Sequence, residues 1–223
     1  MSVRMHRSRR RAQRGLSLLE VLIGLALTPI VLAGIHSAYR AQAYALQTNN
    51  TAYAQQELAR ATLDLIVREV RMAGYDPSGL ALAISPGPTC PGVRRGLVEA
   101  TPTRLNIRAD LTGDGVVTAT GEDVVYELDN VAHQIRRTDA LGAVVLLDEA
   151  PLDGLAFRYF DTNNPPVELV PSPSLSEGER DCVGTVQVVV RTSTPNPNPQ
   201  AGGTLTSEAS SQAAIRSRAL MNF

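Results

Sequence analysis

One carboxylate, Glu20, stands inside an otherwise uncharged stretch running from Leu16 to Tyr39. An acid near the edge of a lipid-embedded segment costs about 2.5 to 3.5 kcal/mol on insertion scales unless it meets a partner, so its position marks a functional site by default. A second grouping is Asp110-Leu111-Thr112-Gly113-Asp114-Gly115. Calcium loops converge hard oxygens from positions 1, 3, 5 and 12 around a turn glycine. Asp110, Thr112 and Asp114 fill the first three places and Gly115 supplies the glycine, but position 12 is Gly121, with Glu122 and Asp123 one and two places late. The segment therefore reads first as a polar turn and second as a calcium site. Cys90 and Cys182 are the only cysteines, both in loop-like sequence. An even count in an exported domain suggests a disulfide, and closing a loop of about 90 residues contributes about 4 to 5 kcal/mol through chain entropy.

Catalytic constellations are missing. The chain has no lysine, which removes both the phosphate-loop lysine and the Schiff-base lysine. His6, His36 and His133 are scattered through the leader, the end of the apolar stretch and an expected strand, and form no cluster. Neither G-x-S-x-G nor G-x-G-x-x-G occurs. Asp148-Glu149 reads as a solvated turn. The expectation is a protein that is not an enzyme and has no cofactor beyond the calcium alternative.

Charge points the same way. The 223 residues carry 21 basic and 22 acidic side chains, but Arg4, Arg7, Arg9, Arg10, Arg11 and Arg14 fall within residues 1–15, which hold no acid. The remaining 208 residues have 15 basic against 22 acidic groups, a net charge of −7. An acidic body does not suit phosphate binding, so nucleic acid is not an expected partner. Arginines ahead of an apolar stretch suit retention on the cytoplasmic side of a membrane.

Two processing routes compete for the stretch LSLLEVLIGLALTPIVLAGIHSAY, which is long enough to span a bilayer core of about 30 Å. A conventional secretory signal would be cut after Val31-Leu32-Ala33, leaving a soluble exported binding domain that begins near Gly34. The other route cuts before the apolar residues and keeps them. Arg14-Gly15-Leu16-Ser17-Leu18-Leu19-Glu20-Val21-Leu22-Ile23 resembles the class III signal of type IV prepilins and pseudopilins. The resemblance implies cleavage after Gly15 by a prepilin peptidase, methylation of the new N-terminal Leu16, and pairing of Glu20 with the N-terminal amine of a neighbouring subunit. Leu16 stands where phenylalanine is commonest in the family, and Thr28-Pro29 falls earlier than the helix-breaking proline of many major pilins.

No glycine or proline interrupts the sequence between Arg40 and Gly74, so one long helix is expected, ended by Gly74 and the turn Asp76-Pro77-Ser78-Gly79. Leu58, Leu65 and Met72 recur every seven residues, as do Leu63 with Val70 and Ile66 with Ala73, while Arg60, Asp64 and Arg68 mark the solvated side. Local loosening is expected from Gln47 to Thr51. The run Leu65 to Tyr75, ending Arg71-Met72-Ala73-Gly74-Tyr75, is similar to the helix end of PilW-like minor pilins, and GspJ-like pseudopilins of type II secretion share the plan.

Beyond Gly79 the period changes to two. Strands are expected at Arg104–Arg108, Val124–Leu128, His133–Arg137, Ala143–Leu147, Leu155–Phe160 and Val186–Arg191, with an irregular stretch from Asp161 to Asp181 and a rigid connector from Pro195 to Pro199; the ending, Ala213–Phe223, reads as a last strand, on the alternation of Ile215–Leu220, or as a short helix. The expected fold class is α+β. Residues 1–15 are the leader, 16–40 the membrane and assembly half of the helix, 41–74 its amphipathic half, and 75–223 an antiparallel β-sheet head, together a pilin fold. The resemblance implies a minor pilin of a type IVa pilus, priming assembly or forming the tip complex in adhesion and motility. Its expected partners are other minor pilins, the major pilin, a tip adhesin, prepilin peptidase and the inner membrane. Its expected location is the inner membrane of a Gram-negative bacterium and then the cell-surface pilus.

Overall fold

The computed structural model describes residues 17–87, 90–148 and 150–219. The chain divides into two compact units, Met1–Leu46 and Gln47–Phe223. Helix α1 (Leu18–Met72) contributes to both. It runs unbroken through Gln47 to Thr51, contrary to the expected loosening. Thr51 Oγ1 donates to the Gln47 carbonyl at 3.0 Å, which folds this polar side chain back onto its own helix.

Before Ala59 no residue of α1 is buried. From there a stripe forms at helical spacing: Ala59, Thr62, Leu63, Ile66, Val67 and Val70, extended by Ala73. The pairs Leu63 with Val70 and Ile66 with Ala73 lie on it as expected. Leu58, Leu65 and Met72 do not: Leu58 is 39% exposed and the other two are half-buried at the margin. A seven-residue recurrence leaves the phase open, and the strands settle on the row where small Ala59, Thr62 and Ala73 permit close approach. Arg60, Asp64 and Arg68 are exposed on the far side.

The strands form two antiparallel sheets rather than the single expected one. β1 (Leu97–Ala100), β2 (Arg104–Arg108), β3 (Asp123–Asp129), β4 (Gln134–Asp139) and β5 (Gly142–Leu147) make a meander in that order. β6 (Leu155–Asp161), β7 (Glu168–Leu169), β8 (Val183–Pro195) and β9 (Thr204–Ala214) make the second sheet, ordered β7-β6-β8-β9. In the first sheet Leu105, Tyr126 and Arg137 stand in register across three strands. Leu105, Tyr126 and Ile135 join Leu155, Tyr159, Val186, Val188 and Val190 of the second sheet and the helix stripe in one core cluster. The result is an α+β fold with the long N-terminal helix packed on antiparallel sheets.

Local differences have identifiable causes. The Asp161 to Asp181 stretch is not wholly irregular: it holds β7 and a six-residue helix, α2 (Glu177–Cys182), which starts with a reciprocal Ser176–Glu179 capping box. His133 is exposed in a turn at φ 55° ahead of β4 rather than in the strand. At the ending the favoured strand over Ile215–Leu220 gives way to the short-helix alternative, α3 (Arg216–Ala219); residues 220–223 lie outside the described residues. The Pro195–Pro199 connector turns the β8–β9 hairpin, and Thr48 Oγ1 of α1 meets Asn196 Oδ1 there at 3.5 Å.

Gly74 ends α1 in the left-handed region at φ 77° and donates its N–H to the Arg108 carbonyl at 2.8 Å. A Cβ on Gly96 would lie 2.0 Å from Gly74 N, so the two backbones meet at van der Waals contact and neither residue tolerates a side chain. Cys90 and Cys182 form a disulfide across 92 residues with Cα atoms 5.4 Å apart, tying the segment before β1 to the end of α2. Replacing both cysteines by serine is expected to lower unfolding stability by about 2 to 4 kcal/mol. Urea denaturation with and without reductant checks this: reductant should destabilise the native protein and leave the double variant unchanged.

Candidate functional site

The N-terminal unit presents apolar side chains on every side of the helix. Leu18 is 80% exposed, Leu22 56%, Ile30 68% and Ile35 60%. The helix is long and apolar enough to cross a membrane, and its most apolar 18-residue window is 0% buried, unlike the core helix of a globular domain. Tyr39 and Tyr44 follow the apolar run with Arg40 between them, and the Arg40 guanidinium reaches the Tyr44 hydroxyl at 3.5 Å. Aromatic rings beside a cation at the end of an apolar span match the composition of a membrane interface.

Glu20 occupies the start of this helix, where the structure gives it a local role that the sequence reading did not include. Ser17 N–H donates to Glu20 Oε2 at 3.0 Å, and Glu20 N–H donates to Ser17 Oγ at 3.2 Å. The two form the reciprocal capping pair that an S-x-x-E sequence produces, at the helix end whose dipole favours negative charge. The carboxylate is thereby held at the head of the helix and offset in part for its apolar surroundings. Gly15 and Leu16, the expected cleavage and methylation positions, lie outside the described residues, as does the leader. Further along, Thr28 Oγ1 donates to the Gly24 carbonyl at 2.6 Å beside Pro29, which is accommodated within the helix while removing one N–H from its ladder.

In the head, Asp110, Thr112 and Asp114 are spent on separate partners. Buried Asp110 accepts from Gly113 N–H at 2.6 Å, Gly115 N–H at 3.1 Å and Ser78 Oγ at 3.1 Å. Asp114 accepts from Val116 N–H at 3.0 Å, and Thr112 turns its hydroxyl to Glu122 at 2.9 Å. Glu122, one place past the calcium-loop position, is fully buried and accepts from the N–H groups of Leu111, Thr112, Thr118 and Ala119 at 2.9 to 3.1 Å. The two acids thus organise the loop by taking up backbone donors that would otherwise be unpaired. Among the described residues no group of three or more His, Cys, Asp or Glu side chains is placed to hold a metal.

Asp76, just past the end of α1, repeats the device. Its side chain is 0% exposed and accepts from Gly79 N–H at 2.8 Å, Leu82 N–H at 3.0 Å and Ser78 Oγ at 2.9 Å, with Arg94 at 3.1 Å. Burial alone would raise the pKa values of Asp76 and Glu122. For Asp76 the Leu82 N–H, the Ser78 hydroxyl, the Gly79 N–H and the Arg94 charge outweigh burial; for Glu122 the N–H groups of Thr112, Ala119 and Leu111 and the Thr112 hydroxyl do so. Both carboxyls end below their usual range.

A further polar group escaped sequence reading. Glu69 of α1 accepts from the Tyr126 hydroxyl and from Arg137 Nη2 at 3.0 Å, and Arg137 also pairs with Asp139. Burial, followed by the charge of Glu69, pushes the Tyr126 phenol up, so it stays a neutral donor. Glu69 lies inside the Leu65–Tyr75 motif, but no local spacing could announce partners on β3 and β4. These bonds, with Gly74, pin the last turns of α1 to the first sheet.

Comparison of the chain with protein-family models, curated proteins and solved structures finds no match.

A depressed carboxyl pKa contributes stability that is present above the unfolded value, about 4, and is lost as pH falls through the folded value. Glu122→Gln, which removes the charge and turns an acceptor into a donor facing N–H groups, is expected to cost about 1 to 3 kcal/mol at neutral pH. Denaturation at a series of pH values should show the gap to the native protein narrowing below pH about 4; a gap independent of pH would contradict the assigned role.

Proposed function

We propose that the chain is a membrane-inserted minor pilin of a type IVa pilus that primes assembly or forms part of the tip complex. The observation that supports this reading is the division of α1: an apolar, unburied N-terminal half with one acid at its head, continuing without a break into a half that packs on the sheets. Lipid covers the apolar half while the subunit is stored. The growing fibre extracts it when packing against other helices replaces lipid contacts and an incoming amine pairs with Glu20. Other minor pilins, the major pilin, a tip adhesin and prepilin peptidase are the partners this reading requires, and it assigns the chain no catalysis. Its location is the inner membrane before assembly and the cell-surface fibre afterwards.

The Ser17–Glu20 capping pair sharpens the test, since two roles of one carboxylate can be separated. Glu20→Gln keeps an acceptor for the Ser17 N–H and removes the charge, whereas Glu20→Ala removes both. Both variants should still insert in the membrane, because the apolar segment is untouched. Loss of a buried ion pair costs about 3 kcal/mol or more, so incorporation into fibres should fall by roughly a hundredfold in both. Immunoblotting of sheared fibres and of membranes measures the two steps. Normal incorporation of Glu20→Gln would reduce Glu20 to a helix cap and refute the pairing, and a defect confined to protein secretion with pili intact would assign the chain to a type II secretion pseudopilus.

A further inference from the structure

Two guanidinium nitrogens, Arg95 Nε and Arg180 Nε, are buried without a hydrogen-bond acceptor among the described residues. Both arginines line one cavity of about 330 Å³ between β1, α2 and the loop after α1. The partners they do have leave one charge uncommitted. Arg95 pairs with Glu177 and places its Nε 3.4 Å from Asp181 Oδ2, out of hydrogen-bonding alignment. Arg108, on the same cavity, is paired with Asp123 at 2.8 Å. Arg180 donates from Nη1 to the Leu175 carbonyl at 2.7 Å, and among the described residues it has no ion pair.

Of the arginines that line it, Arg108 is neutralised by Asp123 and Arg95 faces Glu177 and Asp181, which leaves Arg180 as the lining cation with no carboxylate partner among the described residues. Asp181 is itself held in place by the Ser85 hydroxyl, and α2 by the Cys182 disulfide, so the charged wall is fixed by its surroundings. Leu82, Leu97, Val98 and Val117 supply the aliphatic part of the lining. A cavity near the lower end of ligand-site volumes, with an apolar wall and forked donors seeking a single acceptor, fits a small monoanion with an aliphatic tail.

We infer that this cavity binds an aliphatic carboxylate, with Arg180 and Arg95 donating to the carboxylate and Val98 and Val117 enclosing the tail. Such a group is presented by a peptide C-terminus ending in a small aliphatic residue and by a free short-chain fatty acid. The site is independent of the fibre role proposed for α1.

The full chain, labelled with ¹⁵N at arginine and held in lipid nanodiscs, is titrated with N-acetyl-glycyl-valine, with its C-terminal amide and with pentanoate. The acid should shift the Arg95 and Arg180 Nε–H resonances saturably, and the amide should bind at least about tenfold more weakly. Pentanoate matching the acid dipeptide identifies a free aliphatic acid as sufficient, and binding of the dipeptide alone identifies a peptide terminus; either supports the site. Arg180→Met should abolish the shift at Arg95. Val117→Glu, on a surface loop, should do so by supplying a competing carboxylate, and guards against misfolding of the first variant. Equal binding of acid and amide, no saturable shift with any probe, or undiminished binding by both variants would overturn the assignment.

Discussion

One hydrogen-bond ladder has to serve two surroundings in this protein. Over 55 residues α1 keeps its backbone paired, while its side chains change from an apolar coat to a single buried stripe. The coat has no internal partner: the eleven leucines, isoleucines and valines from Leu18 to Ile35 are between 47% and 80% exposed. Covering each contributes about 1.5 to 3 kcal/mol, so together they favour lipid or a helical neighbour by about 15 to 30 kcal/mol. Against that, the few kcal/mol charged to Glu20 cannot decide whether the segment inserts. In the proposed function the carboxylate can therefore specify register and partner without opposing insertion of the segment. Its hydrogen bonds with Ser17 lower the cost further and set its position at the helix head.

The head makes the opposite use of acids. Asp76, Asp110 and Glu122 are buried beside turns, and their chief partners are backbone N–H groups rather than cations. Turns at the end of a long helix expose many such donors, and one carboxylate can satisfy several at once. Together with the Gly74–Gly96 contact and the Glu69–Tyr126–Arg137 group, they lock the end of α1 to the first sheet. The last turn of the helix is thus fixed on the head as firmly as its first half is bare.

What could be read in the sequence follows from the range of the interactions. β2 was legible to the residue because its alternation is clean and it lies between Pro102 and Asp110, and Val186, Val188 and Val190 alternate into the core as expected. β9, with the sequence TLTSEASSQAA, carries almost no apolar or β-branched signal and becomes a strand through its eleven-residue pairing with β8. Both capping pairs, Ser17–Glu20 and Ser176–Glu179, were written in S-x-x-E spacing and passed unnoticed beside stronger hydrophobic signals. The heptad recurrence placed Leu63 and Ile66 correctly but not Leu58, since only tertiary packing chooses between neighbouring rows. At the candidate loop, Glu122 looked one position late for a cation, and that offset is what lets it reach back to four backbone N–H groups. The Arg95–Arg180 cavity had no local signature, because β1 and α2 lie some 80 residues apart.

Whether the apolar half of α1 remains on the finished protein is the point on which the proposed membrane storage and fibre assembly both turn. Mass spectrometry of the N-terminal peptide of the mature protein, purified from its native host, measures this directly. An N-methylated Leu16 as first residue is the expected result. A mature chain beginning near Gly34, with the apolar segment removed, would contradict it and leave an exported head with no helix to assemble.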